Sequence, residues 1–321
     1  MDTRDDLTAA TGPEESLRLE EKEKAIMSGT GDSPVVVGVD GSEFAVHAVR
    51  WGAFEAERRR QPLRLVHFYG LPPLTVSLGK LRETLDAEGH ASLAEAKDAV
   101  LRDRPDLTVQ TVLREGMPVP ALLEESGRAT MIVLGARGLG GFTGLAAGST
   151  AVALAEHGRC PTVVVRGREP GGPPPSGGPV VVGTDGSAGS DAAVAFAFEE
   201  AAMRGTHLIA VHTWSEVLVA DGSLRAHPFD LDPGRVEEAE QEVLARQIEA
   251  WQEKYPGIEV RRVVTRGRPV RELLVQGEQA QLIVVGSRGR GGFDGMLLGS
   301  TSQALVAHST CPVAVIRAPG R

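Results

Sequence analysis

Short apolar runs rich in β-branched residues alternate along the chain with longer stretches in which apolar residues return every three or four positions. The runs lack the polar alternation of half-wet strands, so they fit strands of a parallel sheet covered on both faces. Five can be placed in the first half, at residues 35–39, 63–68, 107–113, 131–135 and 162–166, and five in the second, at 180–184, 207–213, 258–265, 282–286 and 313–317. After the first strand Ala45, Ala48, Val49, Gly52, Ala53 and Ala56 recur at helical spacing. Ala193, Phe196, Ala197 and Ala201 do the same in the second half, with Glu200 as one polar interruption. Strands alternating with helices make βαβ units, and the expected fold is a doubly wound, Rossmann-like α/β sheet.

The two halves are copies. Val35-Val-Val-Gly-Val-Asp-Gly-Ser42 returns as Val180-Val-Val-Gly-Thr-Asp-Gly-Ser187, and His67 and His212 fall in register on the second strand of each half. Gly116 and Gly267 sit in matching Arg/Gly/Pro-Val segments. The strongest match is Gly135-Ala-Arg-Gly-Leu-Gly-Gly-Phe142 with Gly286-Ser-Arg-Gly-Arg-Gly-Gly-Phe293, continuing through Gly148-Ser149-Thr150 and Gly299-Ser300-Thr301 to Cys160-Pro161 and Cys311-Pro312. A long repeat of this kind predicts two tandem domains. They are expected at residues 34–168 and 179–318, joined by a linker at 169–178 inside the Pro/Gly run 167–179, which cannot pack a core. Residues 1–33 are acidic and aperiodic and are read as a disordered tail, with Met27 as an alternative start to Met1.

A net charge of −9 argues against a nucleic-acid partner, which would require a clustered cationic surface. No apolar run approaches the roughly 18 residues that span a bilayer, and the acidic first thirty residues carry no apolar signal segment, so a cytoplasmic protein is expected. Two cysteines, each in a Cys-Pro step, cannot build a disulfide framework or a four-thiolate metal site, and they read as small buried packing residues. Of the histidines, His67, His212, His157 and His308 are read as structural rather than catalytic.

Open α/β sheets bind ligands at the carboxyl ends of their strands. Two features fall there in each copy. Asp40 and Asp185 end the first strand and could accept a hydrogen bond from a base or ribose, while Ser42 and Ser187 suit the N-cap of the next helix. After the fourth strand comes Gly135-xx-Gly138, nine residues, then Gly148-Ser149, repeated as Gly286-xx-Gly289, nine residues, then Gly299-Ser300. Glycines let backbone amides approach an anion, and Gly148 and Gly299 stand where a helix begins, with its free amides and positive dipole end. Arg137 and Arg288 add a cation to each loop. The P-loop pattern, the dinucleotide-binding GxGxxG after the first strand, the GxSxG elbow and HExxH are all missing from the sequence.

With these residues in place the sequence resembles a tandem universal stress protein of the actinobacterial kind, over residues 34–168 and 179–318, and G-xx-G-x9-G-[ST] matches the signature of that family's ATP-binding branch. The resemblance implies a five-stranded parallel sheet of order 3-2-1-4-5 and one ATP per domain, with Mg²⁺ carried by the phosphates. It implies that adenosine is held by Asp40 with the backbone at Phe68, and by Asp185 with that at Thr213. The phosphates would meet Gly135, Gly138, Gly148 and Ser149, or Gly286, Gly289, Gly299 and Ser300, with Arg137, Thr150, Arg288 and Thr301 beside them. The first copy departs from the family pattern at Ala45, where Ser190 stands in the second, and at Ala146-Ala147 before Gly148. The expected function is a nucleotide-dependent regulator in stress or dormancy, not an enzyme. A slow ATP hydrolase or nucleotidyl transferase, and an assembly module with vestigial sites, are the alternatives. The fifth strands are expected to be sheet edges that pair with each other within the chain; a homodimer and an unidentified protein partner are further expectations.

Overall fold

The computed structural model describes residues 33–71, 79–138, 148–169, 172–214, 233–289 and 298–318. The segment read as a tail lies outside them apart from Ser33, as do residues 139–147 and 290–297 of the two glycine-rich loops, and with them Ala146 and Ala147. The first copy comprises β1 (Val35–Gly38), α1 (Glu43–Arg59), β2 (Leu63–Tyr69), α2 (Gly79–Asp103), β3 (Val109–Glu115), α3 (Pro118–Glu125), β4 (Met131–Gly135), α4 (Ser149–His157) and β5 (Thr162–Val165). The second repeats it with β6 (Val180–Thr184), α5 (Ala188–Arg204), β7 (Leu208–Trp214), α6 (Pro233–Lys254), β8 (Val260–Arg266), α7 (Pro269–Gly277), β9 (Leu282–Gly286), α8 (Ser300–His308) and β10 (Val313–Ile316).

All ten strands form one sheet in the order β3-β2-β1-β4-β5-β10-β9-β6-β7-β8, so each copy has the order 3-2-1-4-5. Pairing is parallel within each copy. The copies join antiparallel through β5 and β10, with Val164 opposite Val313 and Thr162 opposite Val315. The edge expected to need cover is thus covered by its counterpart, which completes the ladder of both strands.

The continuous apolar runs are explained by burial on both faces. Val35 and Val37 enter one core with Ala48, Trp51, Leu93, Ala193, Phe198, Leu244 and Ile248, which brings α1, α2, α5 and α6 onto that face. Val36 points the other way, into a core with Leu122, Leu154, Leu273 and Leu305 from α3, α4, α7 and α8. The expected spans 131–135, 180–184 and 282–286 coincide with strands. Three expected strands begin too early, the one at 207–213 by a single residue and two others by two residues. Leu107 and Ile258 are taken up by turns that close α2 and α6, their amides donating to Arg104 and Tyr255 carbonyls, so β3 and β8 start two residues later and run on through Glu115 and Arg266. Arg166 and Arg317 fall just beyond β5 and β10.

The polar interruption at Glu200 has a physical role. Where α1 meets α5, Glu55, Arg59, Glu200 and Arg204 form a closed cluster: Arg59 reaches Glu55 at 2.9 Å and Glu200 at 2.5 Å, and Arg204 reaches Glu55 at 2.7 Å and Glu200 at 2.8 Å. Glu55 and Glu200 occupy the same place in the repeat, as do the two arginines. Both carboxylates are fully buried and each arginine is nearly so. Among the described residues no helix is long and apolar enough to cross a membrane.

Candidate functional site

The ends of β1 and β4 stand side by side, because β1 pairs with β4 in the sheet. That pairing brings the Asp40 turn against the glycine-rich loop. Asp40 Oδ1 accepts the Ser42 amide at 3.0 Å, and a Cβ placed on Gly138 would lie 2.3 Å from Asp40 Oδ2. In the second copy Asp185 Oδ1 accepts the Ser187 amide at 3.0 Å, and a Cβ on Gly289 would lie 2.7 Å from Asp185 Oδ2. The glycines therefore allow each aspartate to pack directly against the loop backbone. Sequence reading assigned them to amide access alone.

Past the loop, Gly148 and Gly299 are the N-caps of α4 and α8, and neither helix has a side-chain cap. Their own amides are pinned, Gly148 to the Ala136 carbonyl at 3.0 Å and Gly299 to the Ser287 carbonyl at 2.7 Å. Those bonds tie each helix start to the residue following β4 or β9. The first-turn amides, of Ser149 and Thr150 or Ser300 and Thr301, thus open from a fixed frame with the positive end of the helix dipole behind them. Among the described residues a Cβ at Gly148 would meet nothing closer than 3.6 Å, and at Gly299 nothing closer than 3.4 Å, so their packing does not require glycine there. The Arg137 Cα lies 4.0 Å from a Cβ placed on Gly148 at this helix start, and its Nε is buried with no hydrogen-bond partner among the described residues. A buried cation donor left over beside an uncapped helix start fits an anionic group. Phe68 and Thr213 are the next-to-last residues of β2 and β7, at the carboxyl edge expected for them. Arg288 is placed after β9 as Arg137 is after β4.

The two sites are built differently underneath. In the first, Ser42 is the N-cap of α1: its Oγ accepts the Ala45 amide at 3.2 Å and donates to the Arg137 carbonyl at 3.4 Å. In the second, Ser187 holds the N-cap position of α5 as expected, but its side chain makes no capping bond, because its hydroxyl donates to Asp185 Oδ1 at 2.6 Å. Ser190, in the first turn, is tied back to this segment, its Oγ donating to the Ser187 carbonyl at 2.8 Å and lying 3.0 Å from Thr184 Oγ1. Gln247 completes the set, its Nε2 donating to Ser190 Oγ and to Asp191 Oδ1, both at 2.7 Å. Val39 and Ala45 hold the places of Thr184 and Ser190 in the first copy, so this network belongs to the second site alone. Sequence reading noted Ser190 but missed Gln247, which lies on α6, far along the chain.

His212 is buried behind the second site, with Nδ1 3.0 Å from the Thr184 carbonyl and Nε2 2.6 Å from Glu240 Oε2. It steadies the strand end that carries Asp185, in keeping with a structural histidine. Burial lowers the pKa of His67, its counterpart, against opposing contributions from the Val39 backbone and Asp40. His157 and His308 close α4 and α8 and are exposed. Both cysteines are buried, and burial pushes the thiols up to about 12 for Cys160 and about 11 for Cys311, which keeps them protonated and unreactive. No cluster of potential metal ligands occurs among the described residues.

The sequence model of the universal stress protein family matches residues 33–166 and again 178–317. A universal stress protein of Mycobacterium tuberculosis is 38% identical over 303 residues, covering 90% of this chain and 98% of the relative. Another, from Mycobacterium bovis, is 41% identical over 291 residues, covering 88% of this chain and 96% of the relative. Among solved structures, a universal stress protein from Archaeoglobus fulgidus superposes with a TM-score of 0.66 over 88% of this chain and 96% of its own, at 20% identity, which bears on the fold alone. The chain belongs to the universal stress protein family, with two tandem copies of that family's domain in one continuous sheet.

Proposed function

We propose that each domain holds one adenine nucleotide, ATP with Mg²⁺ carried on its phosphates, and that the protein acts as a nucleotide-dependent regulator of the stress or dormancy response. The observation that carries this reading is the helix start at Gly148 and Gly299. In both copies an uncapped first turn opens beside a glycine-spaced loop and a fixed aspartate, and in the first copy Arg137 adds a buried donor with no partner among the described residues. Phosphate oxygens would satisfy these donors; Asp40 and Asp185 would fix the other end of the ligand through a hydroxyl or base hydrogen bond. The protein's part is to bind and orient, and Mg²⁺ supplies charge neutralisation when it comes with the nucleotide.

The test is to extract purified protein, identify the released nucleotide by mass spectrometry, and titrate the emptied protein with Mg·ATP by calorimetry. Two adenine nucleotides per chain are expected. No retained nucleotide together with no heat at millimolar Mg·ATP would end the reading.

A holder rather than a hydrolase is favoured because the sequence between Gly135 and Thr150 contains no carboxylate or glutamine to orient an attacking water, and the sole carboxylate of the second loop, Asp294, has Thr143 as its counterpart and so belongs to no mechanism the two copies share. Steady-state phosphate release should fall far below the turnover of about 1 per second at the low end of ordinary enzymes. Faster release that disappears in an Asp40/Asp185 double alanine variant would make the protein an enzyme.

A further inference from the structure

The residues just past the paired edge strands cross between the domains. Arg166 follows β5, and its Nη1 donates to the Ala307 carbonyl in the last turn of α8. Arg317 follows β10, and its Nη1 donates to the Glu156 carbonyl in the last turn of α4. The two arginines are equivalent in the repeat, as are the two carbonyls. These acceptors belong to the last turn, whose carbonyls have no partner further along their own helix. An arginine there supplies both the missing hydrogen bond and a positive charge at the negative end of the dipole.

The other ends of the same helices are Ser300 and Ser149, the starts of the proposed phosphate cradles. Each is a nine-residue helix, about 14 Å long at 1.5 Å per residue. One short rigid element therefore runs from the cradle of its own domain to an arginine of the other. Arg166 also lies close enough to Arg137, in the loop of the first site, for that charge to add to burial in lowering its pKa.

We infer that Arg166 and Arg317 are positioning residues, each fixing the phosphate-cradle helix of the opposite domain, so that the two sites are energetically coupled across the β5/β10 seam. The coupling to nucleotide rests on the function proposed above; the crossed helix anchoring does not. An anion held at Arg137 acts on Arg166, through it on the end of α8, and through that helix on Ser300. Linkage makes the effect reciprocal between the sites.

Two measurements keep the two ideas apart. In nucleotide-free protein, amide hydrogen exchange should rise in α8 of Arg166→Gln with α4 unchanged, and in α4 of Arg317→Gln with α8 unchanged. Arg166→Lys, which keeps the charge but loses the planar guanidinium, should give intermediate protection and serves if the glutamine variant does not fold. Second, Mg·ATP is titrated with one site disabled by Asp40→Ala or Asp185→Ala. Arg166→Gln should weaken the second-domain site about twofold to tenfold, the range of a helix-end charge, and Arg317→Gln the first-domain site. Unchanged exchange in the opposite helix overturns the inference, as does exchange that rises equally in both helices. Exchange that crosses domains in a protein that binds no Mg·ATP supports the anchoring and defeats the functional reading instead.

Discussion

Replacing Glu55 and Glu200 by glutamine, singly and together, tests the charge balance of the buried cluster at the α1/α5 contact. Burial, then the Glu200 carboxylate, push Glu55 from its ordinary 4.5 up to about 7, against the pull of Arg204 and Arg59. Burial also works against ionisation of Glu200, but Arg204 and Arg59 hold it below its usual range. The pair thus shares one proton near neutrality, and two arginines face one net carboxylate inside the cluster, with Glu199 at the exposed rim of Arg59. A single Glu→Gln change leaves the same charge, because the remaining carboxylate, freed of its like neighbour, ionises. Each single variant should therefore lose only a rearranged hydrogen bond, about 1 kcal/mol at pH 6.

The double variant leaves both arginines buried without a carboxylate inside the cluster and should lose about 3–5 kcal/mol, the cost of stranding a buried charge. The excess over the sum of the singles is then about 1–3 kcal/mol, as for residues in one network. The assay is urea unfolding at pH 6 and pH 8 of all four proteins, compared at equal slope. The sign with pH follows from linkage. The folded protein keeps a proton on Glu55 that the unfolded chain releases above about 4.5, so this contribution is full below that pH and lost as pH rises through about 7. Wild type should lose it and Glu55→Gln should not. A double variant within about 0.5 kcal/mol of additivity would refute the shared-proton account.

Gly148→Ala and Gly299→Ala should fold with a small loss of stability, about 1 kcal/mol from placing alanine at an N-cap, yet bind Mg·ATP at least several-fold more weakly by calorimetry; unchanged affinity would move the phosphates elsewhere. Arg60, at φ +54, closes α1 in the left-handed region where Gly205 closes α5 at φ +62, so Arg60→Gly should raise stability by about 1 kcal/mol in the same urea assay. Cys160 and Cys311 should resist a thiol-specific alkylating reagent at pH 8 in folded protein and react once it is unfolded, while rapid native labelling would contradict their burial.

Much of the fold was legible because the signals are local or doubled. Apolar runs of strand length without polar alternation dictate a sheet buried on both sides, and the repeat dictates two of them; the valines at 35–37 and 180–182 lie on β1 and β6 with both faces covered. The glycine spacing and the helix start at Gly148 and Gly299 were also readable, since a glycine-rich loop and the helix that follows it are contiguous in sequence. What escaped is whatever depends on residues distant in the chain. That Gly138 and Gly289 make room for the aspartates, and that Gln247 braces only the second site, follow from strand order, which sets loop against loop and helix against helix. Glu200 read as a flaw in a helical stripe because its partners Glu55 and Arg59 lie in the other copy. The crossed arginines have no signature at all. Arg166 and Arg317 look like ordinary strand ends until the antiparallel β5/β10 seam brings each beside the helix of the opposite domain, a juxtaposition that only the pairing of the two sheets creates.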